Sequence, residues 1–354
     1  MNISGEDRYE TVFGETFAMY NKKDMVEFIE PFRVRFERNS IDPNRVFKGK
    51  RCFDAGCGNG RGSLFMLMNG ASHVTAYDYS EKNVESTRLF AKQFGYGNID
   101  VYKGSLAQIP FEDGSFEFVW CNGVIMHTEK PNACLAELTR ILMTDGQAWL
   151  YVYGSGGIYW RIIYHIRDML KDISVHECMS ALKLFRYETM YIAEFVDDWY
   201  ATWLRSYTHR DLSLRLKALG FADAEQLRYG MDYDTSHRIN TYLTAEEREL
   251  MGEGDLRYLL TKISKDRKDT DNLDEGEYGS IYNYPQLILQ NVDPLFEEIR
   301  KIADNESWMK IAISAHIQRE LRLLLTRNQP FSLSTFEDKI RNILDNAKNI
   351  KPRS

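Results

Sequence analysis

Residues 54–62 of the chain are Asp54-Ala55-Gly56-Cys57-Gly58-Asn59-Gly60-Arg61-Gly62. This glycine-rich stretch follows a short apolar run that predicts a strand over residues 51–54, and it precedes an apolar run that predicts a helix around residues 64–68. Glycines allow a positive φ and let a ligand approach the backbone where a Cβ would collide. Asp78 ends the next predicted strand, where a carboxylate can accept hydrogen bonds from ribose hydroxyls. We therefore expect a ligand site at this turn.

The glycine spacing argues against a dinucleotide cofactor. Dinucleotide-binding turns need the pattern G-x-G-x-x-G/A. Counted from Gly56 the last position is Arg61, and counted from Gly58 it is Ser63, so neither frame fits.

The stretch instead resembles the D-x-G-x-G-x-G signature of class I S-adenosylmethionine-dependent methyltransferases. The resemblance extends over residues 50–153 and again over 205–235, and further segments match family motifs in the same order: Asp78-Tyr79-Ser80, 109–119, 122–127 and 138–147. Several ordered motifs are more specific than one glycine loop. The resemblance implies that the cofactor is S-adenosyl-L-methionine, which has no pyrophosphate.

Short apolar runs alternate with helical segments, which predicts βαβ units. We expect an α/β fold: a Rossmann-like, doubly wound, mostly parallel sheet with a helical insertion after strand five and helical N- and C-terminal additions. The expected strands after the first are His73–Asp78, Ile99–Lys103, Phe116–Asn122 and Gln147–Tyr153, and the chain should return to the sheet from Phe221. Ser80 should cap the helix after strand two, and Thr208 should open a helix with a capping box.

Three regions are expected. Residues 1–45 form a helical lid interrupted at Pro31, and residues 46–235 form the S-adenosylmethionine-binding methyltransferase domain, with 154–206 as a helical insertion that caps the substrate. Residues 236–354 form a mainly helical extension with a polar, acidic break at 264–279. Helical periodicity in the extension covers 286–303, 307–326 and 334–347. Lid residues expected to fold over the cofactor are Tyr9, Phe13, Tyr20 and Arg33.

The resemblance also implies the residues that hold the cofactor. Asp54, Gly56, Gly58, Asn59 and Gly60 would line its methionine part, Asp78 would bind the ribose, Tyr79 would pack near the adenine, and Asn122 would lie beside the sulfonium. Many family members carry an acidic residue after strand three that contacts the adenine amine. This chain has Ser105-Leu106 there, so a hydroxyl or backbone group would take that place.

The expected reaction is an in-line displacement at the methyl carbon, in which proximity and orientation supply much of the catalysis. A general base is needed only if the acceptor must lose a proton. His127 is the first candidate, because histidine titrates near neutral pH, and Tyr153 and Asp198 are the next. The plainer alternative for His127 is packing at a strand end.

Tyr159, Trp160, Asp197, Trp199 and Trp203 are the substrate-binding candidates. Aromatic residues at helical spacing usually form core. However, the insertion that carries all five follows strand five, so it should emerge at the carboxyl edge of the sheet, where ligands bind in open α/β folds. We keep both interpretations: core of a helical segment, or a roof over the substrate.

Composition sets limits on partners. The net charge of −7 argues against nucleic-acid binding, and no apolar run is long enough to cross a membrane. The five cysteines are scattered without a zinc-type spacing, so we expect reduced thiols and no metal site. The start of the chain shows no signal-peptide pattern, so a cytoplasmic protein is expected. The helical additions are candidates for a homodimer contact.

The function expected from all this is methyl transfer to a hydroxyl or amino group of a small molecule, such as a sugar or a secondary-metabolite intermediate. Two alternatives remain open: an enzyme that uses S-adenosylmethionine with an outcome other than methyl transfer, and a non-catalytic regulatory or scaffold protein that binds it.

Overall fold

The computed structural model describes residues 9–227, 245–264, 284–303, 306–326 and 332–347. The expected acidic break at 264–279 lies outside these residues, apart from Ser264. The described chain forms two compact units. The first contains residues 9–154, 202–227 and 255–264, and the second contains 155–201, 245–254 and the described residues from 284 onward.

A six-stranded sheet forms the centre of the first unit. Its order is β3-β2-β1-β4-β5-β6, where the first five strands are parallel and β6 is antiparallel to β5. The strands are β1 (Arg51–Ala55), β2 (His73–Asp78), β3 (Ile99–Lys103), β4 (Phe116–Asn122), β5 (Leu142–Tyr153) and β6 (Asp255–Thr261). The predicted bounds of β2, β3 and β4 are confirmed, β1 is one residue longer than predicted, and β5 begins five residues earlier. The expected α/β, mostly parallel fold is confirmed.

The strand order reverses direction at β1. In register, Ala55 at the end of β1 lies between Tyr77 of β2 and Cys121 of β4. The glycine-rich turn after β1 therefore emerges beside the ends of both neighbouring strands. In open α/β sheets this switch point is where ligands bind.

The sixth strand lies later in the chain than the return to the sheet that the sequence predicted from Phe221. Phe221 forms only an isolated bridge to Lys262, whereas Asp255–Thr261 pairs with β5 over seven residue pairs, from Gln147↔Thr261 to Tyr153↔Asp255. After Phe221 the chain reads Ala222-Asp223-Ala224-Glu225, in which the alternating apolar side chains are only alanines and have little surface to bury. In β6, by contrast, Leu256, Tyr258 and Leu260 alternate and are buried. The extension that the sequence predicted to be mainly helical therefore also contributes a strand to the sheet.

Helices of the first unit begin at the capping residues that the sequence indicated. Ser80 Oγ accepts from Asn83 N at the start of helix Glu81–Gln93, and Thr208 Oγ1 accepts from Asp211 N at the start of helix His209–Ala218. The other helices of this unit are a π-helical turn Glu10–Glu15 and the helices Lys22–Arg38, Pro43–Phe47, Arg61–Met68 and Pro131–Ile141.

Helix Lys22–Arg38 runs through Pro31 without a break, so the predicted interruption was wrong. A proline inside a helix removes one backbone hydrogen bond and costs about 3 kcal/mol. Tertiary packing offsets this cost, because the ring of Phe32 lies 4.9 Å from Trp120 and the ring of Phe36 lies 5.1 Å from Trp149. The two tryptophans are themselves stacked at 5.0 Å, so this helix packs against one face of the sheet.

The second unit, as far as it is described, is helical. Its helices are Gly157–Leu170, Val175–Leu184, Thr189–Tyr200, Ala245–Met251, Gln286–Ala303, Ser307–Thr326 and Leu333–Ala347. The insertion is therefore helical as predicted, and the three C-terminal helices lie where the periodicity placed them. Among the described residues, no helix is long and apolar enough to cross a membrane.

Candidate active site

The glycine-rich turn after β1 is held by backbone geometry that other residues would not adopt. Gly56, Gly58 and Gly60 have φ values of +66°, +56° and +88°. The N–H of Gly56 donates to the carbonyl oxygen of Tyr77 at 2.8 Å, which ties the turn to the end of β2. A Cβ on Gly56 would lie 2.5 Å from a methyl carbon of Val124, in the segment after β4. The turn and the post-β4 segment are therefore in direct contact.

Asp78, at the end of β2, organises the same turn. Its Oδ2 accepts from Gly58 N at 2.8 Å, and its Oδ1 accepts from Ser80 N at 2.9 Å and from Asn83 Nδ2 at 3.1 Å. Burial raises the pKa of Asp78, while the two backbone N–H donors lower it. The carboxylate thus fixes the turn, and its predicted contact with the ribose stays a prediction.

Asp54 and Asn59 give this turn the chemistry to hold a polar ligand. Asp54 is buried and accepts from Ser63 Oγ at 2.6 Å, and burial raises the pKa of its carboxyl to about 7. Asn59 is 1% exposed, and within the described residues its Nδ2 has no hydrogen-bond acceptor. An unsatisfied buried donor costs about 1–3 kcal/mol, which a ligand oxygen would recover. The residues present therefore fit a cofactor with carboxylate and hydroxyl acceptors and an ammonium group.

The remaining predicted cofactor residues differ in what they contact. Tyr79 is partly exposed, and Tyr9 meets it edge-on at 5.6 Å. Leu106 is buried, whereas Ser105 is exposed and its Oγ accepts from Ala107 N at 3.3 Å. Asn122 Oδ1 accepts from Trp149 Nε1 at 2.9 Å, which fixes the orientation of its amide.

The π-helical turn and the residues after it lie over the glycine-rich turn. A Cβ on Gly58 would be 3.0 Å from the ring of Phe17, and a Cβ on Gly14 would be 2.7 Å from Ser80 Oγ. Glu10 Oε1 accepts from Lys82 N at 3.2 Å, so the same segment also contacts the helix after β2. Sequence reasoning missed Phe17, Gly14 and Glu10 because no local pattern identifies such a contact.

The other residues expected in the lid take different positions. The ring of Phe13 lies 5.3 Å from His127, and the ring of Tyr20 stacks on Phe28 at 4.8 Å. Arg33 pairs with Glu30 and Glu37 on the exposed face of its own helix. The charge of Arg33 is thus paired within its own helix, and its expected part in the lid stays a prediction.

His127 lies in a short 3₁₀ turn after β4, three residues beyond the Val124 that contacts Gly56. It is buried, and its Nδ1 lies 2.9 Å from the carbonyl oxygen of Trp203. A carbonyl oxygen only accepts, so in this hydrogen bond Nδ1 carries the proton and, in the neutral ring, Nε2 carries the lone pair. The ring of Tyr153 meets the imidazole edge-on at 5.4 Å, so two of the three catalytic candidates are neighbours.

The third catalytic candidate, Asp198, belongs to the second unit. Its Oδ2 accepts from the hydroxyl of Tyr159 and from Gln318 Nε2 at 2.6 Å. Gln318 Oε1 in turn accepts from Trp199 Nε1 at 2.5 Å, and Arg322 Nη2 lies 3.5 Å from Asp198 Oδ2. Burial and the neighbouring carboxylate of Asp197 raise the pKa of Asp198. These side chains form a buried polar network that joins three helices.

The predicted substrate residues are thus divided between the units. Tyr159, Trp160 and Trp199 are buried in the helical unit, Asp197 is half-buried there, and Trp203 is 42% exposed in the first unit. The core interpretation therefore applies to the three buried rings, and their substrate role stays a prediction. Trp203 stacks with the guanidinium of Arg205 at 4.8 Å.

No metal-binding group was found in the described part of the chain: no three or more histidine, cysteine or acidic side chains lie together in a metal-binding arrangement. All five cysteines are buried and none forms a disulfide.

Residues 53–150, between β1 and β5, match the family model described as a methyltransferase domain. The demethylmenaquinone methyltransferase of Listeria welshimeri is 26% identical over 149 residues, which are 42% of this chain and 63% of that protein. The ubiquinone biosynthesis O-methyltransferase of Aromatoleum aromaticum is 32% identical over 122 residues, which are 34% of this chain and 50% of that protein. The matches therefore span about half to three fifths of these relatives.

Among solved structures, a putative methyltransferase in complex with the Haloferax volcanii Trm112 methyltransferase activator superimposes with a TM-score of 0.47 at 16% identity, over 71% of this chain and 98% of that chain. The strand order, the glycine-rich turn and the family match together define a class I, S-adenosylmethionine-dependent methyltransferase domain. S-Adenosyl-L-methionine is the cofactor of this domain.

Proposed function

We propose that the protein transfers a methyl group from S-adenosylmethionine to a hydroxyl oxygen of a small aromatic molecule. The observation that carries this proposal is the geometry of His127. Its Nδ1–H is engaged by the Trp203 carbonyl at 2.9 Å, which leaves the basic lone pair on Nε2. A hydroxyl acceptor must lose a proton, and a correctly oriented imidazole is the most common group to take it.

The chain's own residues account for the rest of the reaction. When bound, the cofactor supplies an electrophilic methyl group on its sulfonium. Asp54 and Asn59 would hold its methionine part, and Asp78 keeps the turn in shape through the N–H of Gly58. His127 Nε2 accepts the hydroxyl proton, and the Trp203 carbonyl stabilises the imidazolium through Nδ1–H. Orientation of the acceptor oxygen toward the methyl carbon supplies the remaining rate enhancement.

Aromatic rings around His127 favour a planar acceptor. Phe13 and Tyr153 lie 5.3 Å and 5.4 Å from the imidazole, and Tyr151 lies 5.9 Å from Tyr153. Offset and edge-on ring contacts at these separations are worth about 0.5–1.5 kcal/mol each. The name of the Aromatoleum aromaticum relative, a ubiquinone biosynthesis O-methyltransferase, gives oxygen as the atom which that protein methylates, and this supports a hydroxyl acceptor. We therefore favour a phenol over the sugar that the sequence left open.

The test measures S-adenosylhomocysteine release from matched acceptors. Purified full-length protein is incubated with S-adenosylmethionine and a panel of phenols and catechols, each paired with the corresponding aniline. We expect turnover with the hydroxylated member of a pair. His127→Gln should lower kcat by about 100-fold, the low end of the range for a lost general base.

His73→Gln is the matched control, because His73 is at the start of β2 and pairs with Asp100. It should leave kcat unchanged. Turnover of anilines alone, or full activity of His127→Gln, would contradict the hydroxyl assignment. Cofactor binding with no turnover on any acceptor would favour the regulatory or scaffold alternative.

A further inference from the structure

A short segment of the first unit, Thr202–Tyr207, supplies the partner of His127. We call it the strap. It returns to the sheet at its end, where Tyr207 N donates to the carbonyl oxygen of Tyr153 at 2.8 Å and Tyr207 bridges to Gly154. Near its start the strap carries Trp203, whose carbonyl oxygen accepts a hydrogen bond from the Nδ1–H of His127. The orientation of the imidazole therefore depends on where the strap lies.

Arg205 is the residue that joins the strap to the loop after His127. Its backbone N–H donates to the carbonyl oxygen of Met126 at 3.2 Å. Its guanidinium donates to the carbonyl oxygen of Thr128 through Nη1 and to that of Glu129 through Nη2 at 3.1 Å. The three carbonyl groups belong to residues 126, 128 and 129, which flank His127 on both sides.

The guanidinium is itself held in place. The guanidinium of Arg205 stacks over the ring of Trp203 at 4.8 Å, so these two side chains of the strap pack against each other. A planar guanidinium can donate to two carbonyl oxygens at once and stack on an aromatic face, which an ammonium group cannot do. Thr128 adds to the rigidity of the loop, because its Oγ1 donates to the carbonyl oxygen of Ile125 at 2.7 Å.

We propose that Arg205 is a positioning residue for His127: it fixes the strap against residues 126–129, so that the Trp203 carbonyl keeps the imidazole in the Nδ1–H tautomer with Nε2 as the base. The proposal rests on the proposed function for its catalytic consequence. The tautomer itself does not depend on the acceptor or on turnover, so it can be measured separately.

A purely structural role for Arg205 makes a different prediction. If Arg205 only stabilised the loop, its removal would lower the melting temperature and leave the tautomer of His127 unchanged. If it positions the base, its removal releases the Trp203 carbonyl, and the imidazole then populates both tautomers.

The experiment uses full-length protein with ¹⁵N-labelled histidine and long-range ¹H–¹⁵N spectra at about pH 9, where histidines are neutral. His127→Gln assigns the His127 signals among the seven histidines of the chain. Arg205→Ala and Arg205→Gln are compared with Arg88→Ala. Arg88 is the matched control because its Nη2 also donates to a backbone carbonyl, that of Val101 at 2.8 Å, at a distant point of the same unit.

In the wild type and in Arg88→Ala we expect a protonated Nδ1 and an unprotonated Nε2 for His127. In Arg205→Ala both nitrogens should show averaged shifts, while the other histidines keep theirs. The His127 shifts of Arg205→Gln should lie between those of the wild type and those of Arg205→Ala, because an amide can donate to one of the carbonyl groups. If Arg205→Ala is unfolded, as judged by the other histidine signals, Arg205→Gln decides. A wild-type His127 protonated on Nε2, or a single Nδ1–H tautomer in both variants, would overturn the proposal.

Once an acceptor is known, the kcat and KM of the Arg205 variants can also be measured. Arg205→Ala should lower kcat by about 10-fold with little change in KM, since the loss concerns proton transfer and not binding. If the wild type shows no turnover but the tautomer changes as expected, the proposed function fails and the positioning role stands. If His127→Gln lowers kcat and the Arg205 variants change neither kcat nor tautomer, the positioning role fails and the proposed function stands.

Discussion

Gly58 donates its backbone N–H to Oδ2 of Asp78 at 2.8 Å, across the gap between the turn after β1 and the end of β2. The same carboxylate accepts from Ser80 N, which begins the next helix. One buried side chain therefore sets the shape of the glycine-rich turn and the start of the helix beside it. A carboxylate oxygen can accept more than one hydrogen bond, so this role is compatible with a ribose contact.

Replacing Asp78 with asparagine should weaken cofactor binding. The amide group would present N–H donors toward Gly58 N or Ser80 N, and a hydrogen bond to a charged acceptor is worth about 1.5–3 kcal/mol. We therefore expect calorimetric affinity for S-adenosylhomocysteine to fall by about 10- to 100-fold. Asp100→Asn, at an exposed position of β3, is the control and should bind normally. Equal affinities for the two variants would show that Asp78 does not shape the site.

A second prediction concerns the close approach at Gly56. Gly56→Ala combines a positive φ of +66° with a Cβ placed 2.5 Å from Val124. Gly49→Ala has a similar φ of +77° but nothing within 4 Å, so it isolates backbone strain from the clash. We expect denaturant melts to show Gly56→Ala less stable than Gly49→Ala by about 1–3 kcal/mol, the usual range for overpacking. Adding Val124→Ala should recover part of this difference. If it recovers none, the loss of stability does not come from the clash with Val124.

Local patterns were enough to predict much of this fold. The bounds of β2, β3 and β4, and the capping roles of Ser80 and Thr208, follow from alternation and helix-start chemistry within a few residues. The glycine spacing likewise argued against a dinucleotide, and the resemblance of the turn to the methyltransferase signature implied the cofactor. The β6 segment carried the same alternation in Leu256, Tyr258 and Leu260, so its strand could have been predicted.

The errors and omissions concern contacts between distant parts of the chain. Helix Lys22–Arg38 continues through Pro31 because of aromatic rings on the sheet, which helical propensity does not include. The contact of the Asp198 side chain with Gln318, 120 residues further on, was likewise not predicted, and the catalytic role of Asp198 stays a prediction. The partner of His127 is a backbone carbonyl, which no residue type reveals.

Asp54 gives a prediction for the dependence of stability on pH. Burial raises the pKa of its carboxyl from 3.8 to about 7 in the folded protein. The folded state therefore binds the proton more tightly than the unfolded state. The contribution of this proton to the free energy of unfolding is fully present below pH 3.8 and is lost as pH rises through 7. Asp54→Asn removes this titration while keeping an oxygen that can accept from Ser63.

The measurement for Asp54 is the difference in free energy of unfolding between Asp54→Asn and the wild type without cofactor. We expect the variant to gain about 1–3 kcal/mol relative to the wild type between pH 5 and about 8. Asp172→Asn, at an exposed position of the chain, should give a difference that changes little over this interval. A flat difference for Asp54→Asn would mean that its carboxyl titrates as in the unfolded chain.

The last prediction concerns the buried polar network of the helical unit. The hydroxyl of Tyr159 donates to Asp198 and accepts from Gln318 Nε2 at 2.7 Å and from Arg322 Nη2 at 3.3 Å, so Tyr159→Phe leaves three side chains with one hydrogen bond fewer each. An unsatisfied buried group costs about 1–3 kcal/mol, and we expect a loss of stability of that size in denaturant melts. Tyr164→Phe is the control, because Tyr164 lies on the same helix and is 43% exposed. If Tyr159→Phe instead kept full stability and lowered turnover, the network would have a catalytic role, in agreement with the prediction of Asp198 as a catalytic residue.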